Sequence, residues 1–191
     1  LPGHHAGVLT LAFNGSLQRN AKEPLWQLAS GGRDRVIHIW PITHTVTAPI
    51  ASSQQMIGHT DEIYSVAFNS EGTHLVSGSG DHTVRLWSLT TSATEHIFTD
   101  ATDAILTVAC SQDTIVAAGN DHLIYRWQLQ SGQRLLPFSG HMGAVGAIDI
   151  TKDGQTLASG SFDQSLRLWD LRQGQSIRTY YSKRNGVRAT A

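Results

Sequence analysis

Short runs of β-branched, aromatic and aliphatic residues recur along this chain, alternating with polar residues and bounded by Gly, Asp and Asn. Ile63-Tyr64-Ser65-Val66-Ala67-Phe68 predicts a strand, and Ser70-Glu71-Gly72 ends it with a turn signal. His74-Leu75-Val76-Ser77-Gly78 predicts a second strand, Gly80-Asp81-His82 turns the chain, and Thr83-Val84-Arg85-Leu86-Trp87 predicts a third. A weaker fourth strand is expected near Glu95-His96-Ile97-Phe98. No segment carries the 3.6-residue period of a long amphipathic helix. The pattern is all-β, with four short antiparallel strands in each unit of roughly 42 residues.

The unit repeats. Trp40, Trp87, Trp127 and Trp169 lie 47, 40 and 42 residues apart, and each closes a similar phrase: SGGRDRVIHIW, SGSGDHTVRLW, AAGNDHLIYRW and SGSFDQSLRLW. An Asp stands six positions before every Trp, and Gly-His opens three units at Gly3-His4, Gly58-His59 and Gly140-His141. In the second and fourth units the His and the Trp are 28 residues apart. A fixed interval implies a fixed geometry.

Gly-His near the start, Ser-Gly-Ser-x-Asp in the middle and Trp-Asp or its equivalent at the end resemble the WD40 repeat of β-propellers. The resemblance covers essentially the whole chain, although only Trp169-Asp170 is the literal dipeptide. It implies a partial β-propeller of four four-stranded antiparallel blades plus the start of a fifth. The repeats are expected at about 3–57, 58–99, 100–139, 140–181 and 182–191. The resemblance also implies one buried hydrogen-bonded set per blade: His4, Ser30, Asp34 and Trp40; His59, Ser77, Asp81 and Trp87; His141, Ser159, Asp163 and Trp169. The chemistry suits this role, because a buried Trp N–H needs an acceptor, and a Ser hydroxyl can accept from it and donate onward to a His.

The third unit departs from the pattern. Asp100-Ala101 stands where Gly-His should be and Ala117 where the Ser should be, which leaves Asp121 and Trp127 without two partners. That unit is expected to lose its buried hydrogen-bond chain and to depend on apolar packing. The first unit is longer in two places, around residues 17–24 and between Trp40 and His59, and insertions of this kind belong in loops. Trp26 follows the first of them as a candidate partner anchor.

A His, Asp and Ser in one unit invite a catalytic reading. A hydrolase holds one such constellation, however, and here it recurs three times, each time tied to a Trp, which favours scaffolding. The ten His show neither His-x3-His nor a Cys/His cluster, so no metal site is expected. Ser30-Gly31-Gly32 and Ser77-Gly78-Ser79-Gly80 lack Gly-Lys-Ser/Thr and lead into strands, so no cofactor or nucleotide is expected.

The net charge of −1, from 14 Lys plus Arg against 15 Asp plus Glu, offers no footprint for nucleic acid or an anionic membrane. The single cysteine, Cys110, reads as a small buried hydrophobe, and a reducing, cytoplasmic setting is expected. The resemblance implies a non-catalytic scaffold that binds proteins or peptides through the face carrying the Gly-His loops and the Asp turns. On that face the candidate contacts are Leu9, Arg33, Glu62, Tyr64, Leu106, Asn120 and Phe162. The alternative is a sensor or substrate-docking region of a larger kinase or NTPase. Seven blades are usual in such rings, so the chain is expected to be a fragment of a larger propeller or to pair with copies of itself.

Overall fold

The structure, a computed structural model, describes residues 3–14, 26–42, 53–111 and 113–182. Every regular element in them is a strand. Blade 1 comprises β1 (Val8–Asn14), β2 (Trp26–Gly32), β3 (Val36–Ile42) and β4 (Gln54–Ile57), and blade 2 comprises β5 (Ile63–Phe68), β6 (His74–Ser79), β7 (Val84–Ser88) and β8 (Thr94–Phe98). Blade 3 comprises β9 (Ile105–Cys110), β10 (Thr114–Gly119) and β11 (Ile124–Gln128); blade 4 comprises β12 (Val145–Ile150), β13 (Thr156–Ser161), β14 (Ser165–Asp170) and β15 (Gln175–Tyr181). Each blade is an antiparallel meander with its strands in chain order.

Blade 3 has three named strands. Its outer edge is completed by bridges from Ile124 to Phe138 and from Trp127 to Arg134, so the fourth strand is reduced to two isolated pairings. Pro137 lies inside that segment and has no N–H to give to a ladder. The expected fifth repeat at 182–191, apart from Ser182, and the middles of the two long segments of the first unit, 15–25 and 43–52, lie outside the described residues. The latter fall between β1 and β2 and between β3 and β4.

Consecutive blades pack face to face, with β1 against β5, β5 against β9 and β9 against β12. Each joint repeats one solution. The Trp that ends a blade's third strand turns back onto the preceding blade and meets a large side chain from that blade's outer edge. Met56 and Trp87 share one apolar cluster, Phe98 stacks on Trp127 at 4.6 Å, and Phe138 stacks on Trp169 at 4.9 Å. Trp87, Trp127 and Trp169 are all buried, and truncating a side chain of that size to Ala costs about 3–5 kcal/mol.

The outer flanks of the arc carry the same positions without a neighbouring blade among the described residues. Leu11 and Phe13 of β1 correspond to Val66 and Phe68 of β5, yet both are exposed, and so are Tyr180 and Tyr181 of β15.

Cys110 stands at the end of β9 and packs against the cluster between blades 2 and 3. It is half-buried rather than fully buried as expected, and desolvation pushes its thiol up to about 12.

Candidate functional site

In three blades the expected polar set closes. His4 Nδ1 lies 2.8 Å from Asp34, His59 Nδ1 2.8 Å from Asp81 and His141 Nδ1 2.9 Å from Asp163. The other ring nitrogen, Nε2, is 2.7 Å from Ser30, Ser77 and Ser159 respectively. The indole N–H groups of Trp40, Trp87 and Trp169 donate to the same Ser oxygens at 2.9, 2.8 and 2.8 Å. A carboxylate cannot donate, so a neutral imidazole must carry its proton on Nδ1. The Ser hydroxyl then donates to Nε2 and accepts from Trp, and every member of the set is satisfied.

The Asp also fixes the turn. Asp81 and Asp163 accept backbone N–H bonds from Thr60 and Thr83, and from Met142 and Ser165. Thr83 and Ser165 add hydroxyl donors at 2.6 Å. Burial raises both carboxyls, but these donors outweigh it and hold Asp81 and Asp163 well below the usual carboxylate range. Burial holds His141 below its ordinary value, although Asp163 pulls it upward. The Ser oxygens sit beneath this assembly, and Ser77 is wholly buried. They are packed hydrogen-bond relays, out of reach of a substrate.

In blades 2 and 4 crowding requires the Gly that opens the set, whereas a Cβ on Gly3 of blade 1 would meet nothing within 4 Å. A Cβ on Gly58 would lie 2.5 Å from the Arg85 guanidinium and 3.1 Å from Trp87, and a Cβ on Gly140 would lie 2.6 Å from Arg167. In blade 3 that constraint is lifted, since Tyr125 replaces the Arg.

The third blade corrects the expectation that apolar packing alone holds it. Asp100 takes the glycine position and accepts the Trp127 indole N–H at 2.9 Å, while the Tyr125 hydroxyl donates to Asp121 at 2.9 Å. Arg134 closes the arrangement by pairing with Asp100 at 2.8 Å. Burial and the bond to Asp121 push the Tyr125 phenol well above its ordinary value. Arg126 is a further departure. It is buried where Leu86 and Leu168 stand in blades 2 and 4, donates to the Leu136 and Leu171 carbonyls at 3.0 Å each, and lies 4.3 Å over Phe138. Sequence reasoning missed this second network, although a charged residue at the glycine position and a Tyr at the arginine position were its visible signals.

Above the sets the candidate contact positions come together blade by blade. The first strand of every blade slips register against the second at one place, and the residue left over is Leu9, Tyr64, Leu106 or Gly146. A bulge of this kind re-aims its side chain. The residue before each Asp then donates its N–H to the loop carbonyl two residues before the bulge: Arg33 to Gly7, Gly80 to Glu62, Asn120 to Ala104 and Phe162 to Ala144, at 2.9 to 3.0 Å.

Each trio is therefore locked by the backbone. Arg33 and Glu62 link blades 1 and 2 as an exposed ion pair at 3.6 Å. Phe162 lies over Gly146 and remains 71% exposed, and Met142, whose N–H donates to the adjacent Asp163, is also exposed. Leu9, Arg33 and Asn120 are exposed, while Glu62, Tyr64 and Leu106 are half-buried. Trp26 is half-buried at the start of β2, opposite Ile42, and is therefore not the protruding anchor considered from the sequence.

The family model described as WD domain, G-beta repeat matches residues 1–41, 51–88 and 132–170. The unmatched stretch 89–131 holds the three named strands of blade 3. Protein tipD of Dictyostelium discoideum is 30% identical over 135 residues, covering 70% of this chain and 22% of that protein. The pre-mRNA-splicing factor cwf17 of Schizosaccharomyces pombe is 30% identical over 133 residues, covering 68% and 39%. The guanine nucleotide-binding protein subunit beta of Nicotiana tabacum is 30% identical over 191 residues, covering 92% and 48%. The chain spans less than half the length of each of these relatives.

Proposed function

The chain belongs to the WD40 repeat family, and from that premise we propose that it is a non-catalytic platform which holds a protein or peptide partner on its bulged face. The observation that carries this reading is the recurrence of the β-bulge. The strand pairing alone does not need it, yet all four blades place it at the same residue and tie that residue's loop to the residue before the Asp. The result is a row of preset positions whose side chains vary: Leu9 and Arg33, Glu62 and Tyr64, Leu106 and Asn120, Phe162. A rigid frame with variable side chains is what a recognition surface requires. Phe162 and Met142 add an exposed apolar knob, and aromatic anchors of this kind dominate interface energies.

The buried Ser hydroxyls support the non-catalytic half of the reading. No helix among the described residues is long and apolar enough to cross a membrane. A cytoplasmic location, partners that are proteins rather than nucleic acid, and further blades or a second copy covering Leu11, Phe13 and Tyr180 are parts of the same proposal.

The test is affinity capture from lysate with the whole chain, followed by quantified binding of the recovered partner to Phe162→Ala and Tyr64→Ala. A loss of at least tenfold with Phe162→Ala and a smaller loss with Tyr64→Ala are expected, with unchanged thermal unfolding. Full binding by the folded double variant would overturn the assignment of the face.

A further inference from the structure

Blade 1 differs from blades 2 and 4 at two positions around its polar set. Where those blades have Arg85 and Arg167, blade 1 has His38; where they have the Thr83 and Ser165 hydroxyls, it has Val36. The first change replaces a fixed cation with an imidazole. The second removes one donor from the carboxylate, since Asp34 keeps the bonds from His4, the His5 N–H and the Val36 N–H but has no hydroxyl at 2.6 Å.

The His38 ring is buried, lies 4.3 Å from the His4 ring between centroids and stacks at 14° on Trp40. Ligand atoms of His4, Asp34 and His38 all fall within 4.8 Å of one another. Sequence spacing could not reveal the trio, because its members come from the opening loop, the Asp turn and β3 rather than from one short motif.

We propose that His4, Asp34 and His38 form a site for one divalent transition-metal ion, with Zn²⁺ the best match to two imidazoles and a carboxylate. His4 Nδ1 and Asp34 are 2.8 Å apart as a hydrogen-bonded pair, and with the third ligand atom within 4.8 Å only side-chain shifts of about 1 Å separate the trio from the roughly 3.3 Å spacing of ligands around a tetrahedral ion with bonds of about 2.0–2.1 Å. Ser53 Oγ holds His38 through Nδ1 at 2.7 Å, which orients Nε2 as the ligating nitrogen, the service that outer partners perform for metal-bound imidazoles. The proton balance closes without loss of the Trp40 bond. His4 moves its proton from Nδ1 to Nε2 and donates it to Ser30 Oγ, which still accepts from Trp40, while the Ser30 hydroxyl hydrogen gives up its acceptor on Nε2 as the cost of the switch. Three protein ligands leave a coordination position for water or for a ligand from a partner, the pattern of open rather than purely structural zinc sites. Blades 2 and 4 cannot do the same, because a guanidinium occupies the corresponding place.

The experiment is calorimetric titration of the tag-free, chelator-stripped whole chain with Zn²⁺, with the visible absorption of bound Co²⁺ as a second readout. One equivalent is expected to bind and to give the intense bands of a low-coordinate Co²⁺ site. His38→Arg installs the residue of blades 2 and 4 and is expected to abolish binding with native tryptophan circular dichroism. Ser53→Ala leaves the three ligands in place and is expected to weaken binding about tenfold. Ala at His5 and at His44, which lies outside the described residues, should change nothing. Absence of binding by the unaltered chain, equal binding by His38→Arg, or loss of binding in the His5 and His44 variants would each overturn the site.

Discussion

Blades 2 and 3 stand side by side with the same strand order, the same bulge and the same Trp, yet they satisfy that Trp by different chemistry. In blade 2 a continuous relay runs from Trp87 through Ser77 and His59 to the Asp81 carboxylate. In blade 3 the relay is gone, and two separate charge-assisted bonds replace it, Trp127 to Asp100 and Tyr125 to Asp121. What is kept is the requirement that a buried indole N–H find an acceptor, together with the anchoring of the turn by an Asp. The intermediates are free to change when they change together. Glycine becomes Asp where Arg becomes Tyr, and the Ser and His that would compete for the same space become Ala117 and Ala101.

The strongest way to break this comparison is to remove the acceptor in each blade. Ser77→Ala strands both the Trp87 N–H and His59 Nε2 in the core, so a loss of about 2–4 kcal/mol is expected by denaturant unfolding of the whole chain. Asp100→Gly strands only the Trp127 N–H among buried groups, because Arg134 is half in solvent, and should cost about 1–3 kcal/mol. Adding Ala117→Ser to Asp100→Gly returns a hydroxyl to the position of Ser77 and should recover at least half of that loss. If Asp100→Gly were silent, or the second change gave no recovery, the idea of two interchangeable networks would fail.

Acid sharpens the same contrast. Burial raises Asp81 and Asp163, but their donors lower them further, so the folded carboxyls sit below their unfolded values. Stability from them is present above the ordinary carboxylate value of about 4 and is lost as pH falls through the folded values. His141, lowered by burial, acts in the same direction earlier, beginning as pH falls through about 6.5, because the unfolded chain takes up that proton first. The whole chain should therefore lose stability on the acid side in two steps. His141→Gln should flatten the part that begins below about pH 6.5, and Asp163→Asn the part below about 4, as followed by thermal unfolding. A slope unchanged in both variants would place the acid sensitivity elsewhere.

Much of this architecture was readable from residues alone, for physical reasons. The alternation in Ile63–Phe68 and the Gly-Asp-His turn specify a strand and its partner locally, and the Trp interval carries the rest. The sets in blades 1, 2 and 4 were legible because a Ser and an Asp stand 10 and 6 residues before the Trp three times, each time after a Gly-His. The wiring of blade 3 was not. Asp100 and Tyr125 are 25 residues apart and stand out against the other repeats only as mismatches, and their meaning emerges only when the fold brings them to Trp127 and Asp121. Arg126 reads as a solvent residue until its stem is seen between Phe138 and the Leu171 carbonyl. His38 looked like one of many histidines because its neighbours His4 and Asp34 approach from other loops. The bulge at Leu9, Tyr64, Leu106 and Gly146 leaves no compositional trace, since it is a property of pairing.

The smallest expected effect separates the turn from the network above it. The residue after each Asp has a left-handed backbone: φ is 67° at Arg35, 66° at His82, 68° at His122 and 68° at Gln164. A side chain there costs roughly 1 kcal/mol that glycine avoids, partly offset by the greater freedom of glycine in the unfolded chain. His82→Gly and His122→Gly should therefore each gain about 0.5 kcal/mol in denaturant unfolding. The two gains should agree, because both turns are closed by the Asp side chain accepting the N–H two residues on, from Thr83 in one blade and Leu123 in the other. Agreement would mean that losing the His and Ser in blade 3 leaves no strain in its turn, so that the two blades differ only in how the indole is satisfied. A clearly larger gain at His122 would show that the missing relay loads the turn, and the frame beneath the candidate contact positions would then differ from blade to blade.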